Sequence, residues 1–150
     1  MTATLRKIQI DKPGGYDVLK LVEAPLPAVG DDEVLIEVKA CGVNYADGII
    51  RMGLYASAKE LHGYPITPGF ELSGVVSAVG AEVADFAVGD AVVALTLFGG
   101  YCSHIVLKAD RVFKKPANLS FAQAAALPTV FLTAWFMVRE QVMPKPGDVW

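Results

Sequence analysis

Cys41, His62, Cys102 and His104 are of the residue types that hold a tetrahedral zinc, so a metal is the first chemistry to weigh. Cys102 and His104 would share a strand face at i, i+2, yet Cys41 and His62 have no paired Cys-x-x-Cys or His-x-x-His spacing. The set reads more simply as two small buried hydrophobes and two surface or hydrogen-bonded imidazoles. A cysteine nucleophile needs a base and a depressed pKa, whereas Cys41 ends an apolar run, where burial raises it. Phe98-Gly99-Gly100 lacks the helix and lysine that follow a phosphate-binding loop and reads as a hairpin turn. What remains is the polar loop CGVNYADGIIRMGLY, residues 41–55, which sets Asn44, Tyr45, Asp47 and Tyr55 around a short helix after a core strand. A rigid scaffold presents donors to a ligand from such a place. Asn44 as a helix cap and Asp47 as a first-turn acid serve structure equally well, and the residues alone leave both readings open.

The elements that must position this loop are mostly strands. LRKIQI (5–10), DEVLIEVKA (32–40), GVVSAVG (74–80), DAVVAL (90–95) and YCSHIVL (101–107) are apolar or alternating runs, rich in β-branched residues, at the spacing of a barrel or sandwich. Pro13 to Gly15 and Pro25 to Gly30 mark loops, and Gly89-Asp90 a turn. Helical signals stand in two places. Asn44 caps a helix through Arg51 that Gly53 stops; Ser120 and Gln123 form a capping box, Pro128 interrupts, and TVFLTAWFMVRE resumes.

With 53% hydrophobic and 19% charged residues over 150 positions, the chain is globular, with one domain as the default. A net charge of −3, with no run of five like charges, argues against a nucleic-acid surface or a polybasic membrane contact and for a small-molecule or protein partner. Two cysteines and an N-terminus without an apolar signal core favour the cytoplasm. Residues 121–138 are apolar enough for a membrane span, but Pro128, Gln123 and two threonines point to a buried or interface helix pair. MPKPGDVW ends in a turn from Pro144 to Asp148 and two residues that open a strand, so the chain is expected to be cut from a longer protein.

Taken in order, DEVLIEVKACGVNYADGIIRMGLY, YPITPGFELSGVVSAVG, VGDAVVAL, GGYCSHIVLKADRVFKKPANLSFAQAAALPTVFLTAW and KPGDVW resemble the N-terminal half of the medium-chain dehydrogenase/reductase superfamily. The resemblance covers almost the whole chain. It implies a mainly β fold, a GroES-like, partly open β-barrel with a few short helices over residues 1–120. Residues 121–150 would then be a helical connection and the start of a Rossmann domain beyond Trp150. In zinc-dependent alcohol dehydrogenases a cysteine ligand stands where this sequence has Asn44 and a histidine ligand where it has Phe70, which leaves Glu71 alone. The four-cysteine structural zinc lobe is also absent, so no metal is expected.

Asn44-x-x-Asp47, Gly53-Leu54-Tyr55 and Pro68-Gly69-Phe70-Glu71 are similar to the zinc-independent quinone oxidoreductase branch, the zeta-crystallin-like and synaptic-vesicle-membrane-protein-like members in particular. That resemblance implies NADPH as cofactor, held mostly by the domain beyond Trp150, and hydride transfer to a quinone or an α,β-unsaturated carbonyl. It assigns Asn44, Asp47 and Tyr55 to the catalytic site and Asn44 and Thr133 to the nicotinamide end of the cofactor. Asn44 and Tyr55 would orient and polarise the substrate oxygen, with no strong general acid required. Tyr45 carries over more weakly, Ile49 stands where bacterial members have an aromatic residue, and Glu71 is expected to be a buried structural acid. The partner would be a small quinone or enone, with no nucleic acid or membrane and with a homodimeric full-length protein; this chain alone would be inactive. Two alternatives stay open: a vesicle-associated, non-catalytic member acting through residues 121–138, and a stand-alone GroES-like binding module.

Overall fold

Two nine-residue strands, each with a continuous run of buried residues, build the frame. In the computed structural model, which describes residues 4–145, 147 and 148, the chain runs through β1 (Thr4–Gln9), β2 (Lys20–Pro25), β3 (Glu33–Cys41), α1 (Tyr45–Arg51), α2 (Ala56–Leu61), β4 (Glu71–Val79), β5 (Ala91–Leu95), β6 (His104–Lys108), β7 (Val112–Lys114), α3 (Phe121–Ala125) and α4 (Pro128–Phe136), the last extended by a wider helical turn over Met137–Val142. Antiparallel pairs order five strands as β6-β3-β4-β5-β7, and β1-β2 forms a separate antiparallel ladder. The two are stitched where Ile8 N donates to Tyr101 O at 2.9 Å and Ser103 N to Arg6 O at 2.7 Å. The strands do not close into a continuous barrel, and the architecture is the mainly β, partly open GroES-like one.

Two apolar clusters hold it. Val34, Ile36, Leu72, Val76, Val92 and Ala94 form one cluster on the five-stranded sheet, and α3 lies against β3 and β4 with Ala124 and Ala125 buried and Phe121 O accepting from Ser73 Oγ at 2.5 Å. Ile10, Val18, Ile50, Ala58 and Ile66 form the second cluster, beneath α1 and α2, with Tyr55, Phe70 and Phe98 at its edge.

The five expected strands and both helical regions are present. Three elements escaped the reading. β2 (KLVEAP) has no buried residue and no clean alternation, β7 is three residues long, and α2 starts at Tyr55 without a capping side-chain hydrogen bond. β4 begins three residues early, at Glu71, and β6 three late, at His104, because residues 101–103 bond to β1 instead. Phe98-Gly99-Gly100 is not a hairpin turn. β5 and β6 are separated by β3 and β4, so this segment crosses the sheet end, tied by Gly99 N to Thr67 O at 2.8 Å and Gly100 N to Gly69 O at 3.1 Å.

Ser120 and Gln123 make the expected reciprocal cap, at 3.2 and 2.9 Å, and Pro128 starts α4, where its missing N–H costs nothing. α4 has no buried residue, and Phe131 and Trp135 are 63% and 61% exposed, so α4 is not the buried helix that one of the two expectations had. The turn before the C-terminus closes through Asp148 N to Lys145 O at 3.1 Å, while the expected strand opening at Val149 and Trp150 lies outside the described residues.

Gly74, mid-way along β4, marks the closest strand approach: a Cβ there would stand 2.2 Å from Glu37 O and 2.8 Å from Ile36 Cγ2. In α1, by contrast, a Cβ at Gly48 meets nothing within 4 Å. Gly74→Ala should therefore lower the urea-unfolding free energy by about 1–3 kcal/mol through overpacking, and Gly48→Ala should raise it by about 0.5–1 kcal/mol through helix propensity. Equal, near-zero effects at the two positions would contradict the β3-β4 packing.

Candidate functional site

β3 carries the chain to Cys41, and the loop that follows bends over the start of β4. Gly42 is required at this crossing: its N–H donates to Glu71 O at 3.2 Å, and a Cβ would lie 2.1 Å from Glu71 Oε1. Asn44 then takes extended backbone angles (φ −116°, ψ 154°) as the residue capping α1.

Asp47, 6% exposed, is the third residue of that helix and reaches three donors. Its Oδ2 accepts from Asn44 N at 2.9 Å and from Tyr101 Oη at 2.8 Å, and its Oδ1 accepts from Gly69 N at 3.0 Å. One acid thus fixes the first turn of α1 against two loops. Burial, and next the hydrogen bond to Asp47, push the Tyr101 phenol well above its ordinary pKa, so it stays a neutral donor.

Glu71, 2% exposed, opens β4 and divides its carboxylate between two elements. Oε1 accepts from Asn44 Nδ2 at 2.9 Å and Oε2 from Thr129 N, in the first turn of α4, at 2.7 Å. One turn on, Thr133 Oγ1 donates to Thr129 O at 2.6 Å. Asn44, Glu71, Thr129 and Thr133 therefore form one linked row, which brings together the two residues assigned to the cofactor. The Thr129 hydroxyl is buried beside this row with no hydrogen-bond partner among the described residues.

Tyr55, partly buried at the start of α2, packs on Phe70 with ring centroids 6.0 Å apart at 60°, and Phe70 packs on Phe98 at 6.0 Å. His62 meets Phe98 edge-on at 5.6 Å. Tyr45 points to solvent. These residues do not fit a tetrahedral zinc: the Asn44 carboxamide gives an N–H to Glu71, Phe70 offers a ring with no donor atom, and no three His, Cys, Asp or Glu groups converge among the described residues. The thiols are not poised for attack either. Burial pushes Cys102 up to about 12, and burial together with the charge of Asp47 raises Cys41.

The largest cleft, about 680 Å³, touches His62 and Phe98 but runs away from Asn44 along Lys7, Thr96 and His104. We assign the site by the hydrogen-bonded row rather than by cavity size, because the polar groups converge at the row. Tyr101, Thr129 and Phe98 were not singled out from the sequence as site residues. Only the aromatic residue directly after Gly99-Gly100 gives a faint signal for the first of them.

Residues 30–131 match the family model described as the alcohol dehydrogenase GroES-like domain. The chain is 43% identical over 148 residues to the synaptic vesicle membrane protein VAT-1 homolog of Danio rerio, covering 98% of this chain and 30% of that protein. It is 38% identical over 144 residues to the quinone oxidoreductase of Sus scrofa, covering 95% of this chain and 43% of that one. Among solved structures, the Escherichia coli quinone oxidoreductase complexed with NADPH superposes with a TM-score of 0.86 at 36% identity, over 97% of this chain and 43% of that chain. The chain thus spans less than half the length of these relatives. Family model, relatives and fold agree: the chain belongs to the alcohol dehydrogenase GroES-like domain family, within the quinone oxidoreductase and VAT-1 branch of the medium-chain dehydrogenases/reductases.

Proposed function

We propose that residues 1–120 are the substrate domain, and the helices from 121 onward the connection to a nucleotide-binding domain, of an NADPH-dependent oxidoreductase that passes hydride to a quinone or an α,β-unsaturated carbonyl without zinc. One observation carries the reading. Where a metal enzyme of this fold would place ligands, an Asn44 carboxamide is anchored to Glu71 and Phe70 belongs to an aromatic patch with Tyr55 and Phe98. An oriented amide beside an apolar, aromatic surface suits a flat, weakly polar acceptor. Quinone oxidoreductase relatives support oxidoreductase chemistry, and the NADPH in the Escherichia coli structure supports that cofactor.

When bound, the cofactor supplies the hydride. Asn44 and Thr133 would hold its nicotinamide end, and the unpartnered Thr129 hydroxyl is a spare polar group in the same row. Tyr55 Oη, on a ring braced by Phe70, would donate to the substrate oxygen as negative charge develops there. The aromatic patch keeps water away, which strengthens such hydrogen bonds. Asp47 has its oxygens committed to Asn44 N, Gly69 N and Tyr101, so its part is to hold the loop.

A second reading has its own observation. The helical stretch Phe121–Val142 is 22 residues long, with a mean hydropathy of 1.5 and 11% of it buried, long and apolar enough to cross a membrane by length and composition. A relative named for the synaptic vesicle membrane gives weight to lipid contact through this stretch.

In the full-length protein, Asn44→Ala should lower kcat/KM for a quinone or enone about 10 to 100-fold, since one hydrogen bond to a desolvated group is worth about 1–3 kcal/mol. Stability should fall by about 1–3 kcal/mol as well, because Glu71 loses a partner. Unchanged turnover at reduced stability would leave Asn44 a helix cap only. Elemental analysis of protein purified without chelator should find well under one zinc per chain, and a full equivalent would end the zinc-free assignment. On liposome flotation the full-length protein should stay at the bottom of the gradient; flotation abolished by Phe131→Glu with Trp135→Glu would favour the lipid reading.

A further inference from the structure

We propose that Glu71 is a positioning residue: it selects which face of the Asn44 carboxamide meets the cleft, and it sets α4, and with it Thr133, in register with Asn44. The kinetic part of this inference rests on the function proposed above. The geometric part stands on the contacts alone.

A carboxylate offers only acceptors, so the Asn44 atom 2.9 Å from Oε1 is the amide nitrogen. One amide proton is thereby spent on Glu71, and the second remains for a ligand. The Asn44 backbone is separately pinned, its N–H donating to Asp47 Oδ2 at 2.9 Å. The amide nitrogen is held by Glu71, while the carboxamide oxygen faces the Asp47 backbone N–H in the capping box of α1. The carboxylate in turn has little room to shift, because its Oε1 fills the space that a Cβ on Gly42 would need. Its other oxygen, 2.7 Å from Thr129 N, places negative charge at the positive end of the nine-residue α4. From there the hydrogen bond of Thr133 Oγ1 to Thr129 O carries the register one turn further.

A purely structural acid and a positioning acid respond differently to Glu71→Gln. The introduced amide keeps the shape and accepts from Thr129 N through its oxygen. Its nitrogen then faces Asn44, whose carboxamide must turn over to accept, so the fold is kept and the presented face is inverted.

The test uses the full-length protein with selective 15N-asparagine labelling, the Asn44 side-chain resonance being identified by its loss in Asn44→Ala. In the wild type one Asn44 amide proton should be protected from exchange with water; in Glu71→Gln both should exchange freely. The melting temperature should hold while kcat/KM for a quinone falls about tenfold or more. Amide protection and kcat/KM both unchanged in Glu71→Gln overturn the proposal, as does a rate loss that tracks loss of folded protein with the protection intact. If the wild-type protein turns over neither a quinone nor an enone, the proposed reaction fails by itself. The amide signature then decides alone: lost in Glu71→Gln the positioning stands, kept it falls.

Discussion

Asp47 and Glu71 are carboxylates removed from water in a domain whose other acids among the described residues remain at least partly exposed. Burying a charge costs several kcal/mol unless hydrogen bonds replace its hydration. Here the replacements come from separate parts of the chain: the α1 cap, the Gly69 loop, Tyr101 in the sheet crossing, and the first turn of α4. Each donor that an acid needs is also a segment that the acid immobilises. The site loop is rigid because two carboxylates would be left unsatisfied if it moved.

This arrangement explains how the outline of a metal site persists in a chain whose residues do not fit a metal. A cation would gather converging ligands and neutralise their charge. In this protein backbone and side-chain donors neutralise the two acids separately, and the space beside them is filled by Tyr55, Phe70 and Phe98. The centre is a set of dipoles, with the aromatic rings of Tyr55, Phe70 and Phe98 packed on one another nearby. Dipoles fixed in place beforehand stabilise small amounts of developing charge with little reorganisation.

Much of the scaffold was legible because its signals are local. The apolar, β-branched runs in Glu33–Cys41 and Ala91–Leu95, the Asn44 and Ser120 caps, and Pro128 each act within a few residues. β2 was not, since its half-buried face carries only Val22 and Ala24 and Leu21 is exposed, too little contrast in KLVEAP to read as a strand. The Phe98 to Gly100 segment misled for a related reason. Glycines announce a turn, but whether the strands on either side pair with each other is decided by the whole sheet order. In the site the limit was sharper. Asn44 could be named, yet cap and ligand could not be told apart, because its carboxamide is oriented by a residue 27 positions away, and that residue is completed by a donor 58 positions further. Glu71 therefore read as a structural acid, and Tyr101 and Thr129 went unnamed.

α4 couples this site to whatever surrounds it. Thr129 and Thr133 stand four residues apart on one edge of the helix, facing the Glu71 row, while Phe131 and Trp135, two residues out of phase, fall on the opposite side. That opposite side is exposed at Phe131 and Trp135, and Leu132 and Phe136 are exposed on the flank between it and the threonine edge. One helix thus joins a hydrogen-bonded edge at the site to an apolar edge that this chain leaves uncovered. The hydrogen bond from Thr129 N to Glu71 is short and buried at its acceptor, whereas the rest of α4 has no buried side chain to hold it. The helix is pinned at its start and free along its length, so any surface that covers Phe131 and Trp135 also decides where Thr133 comes to rest. The resting place of Thr133 and the packing over Phe131 and Trp135 are, on this geometry, one and the same adjustment.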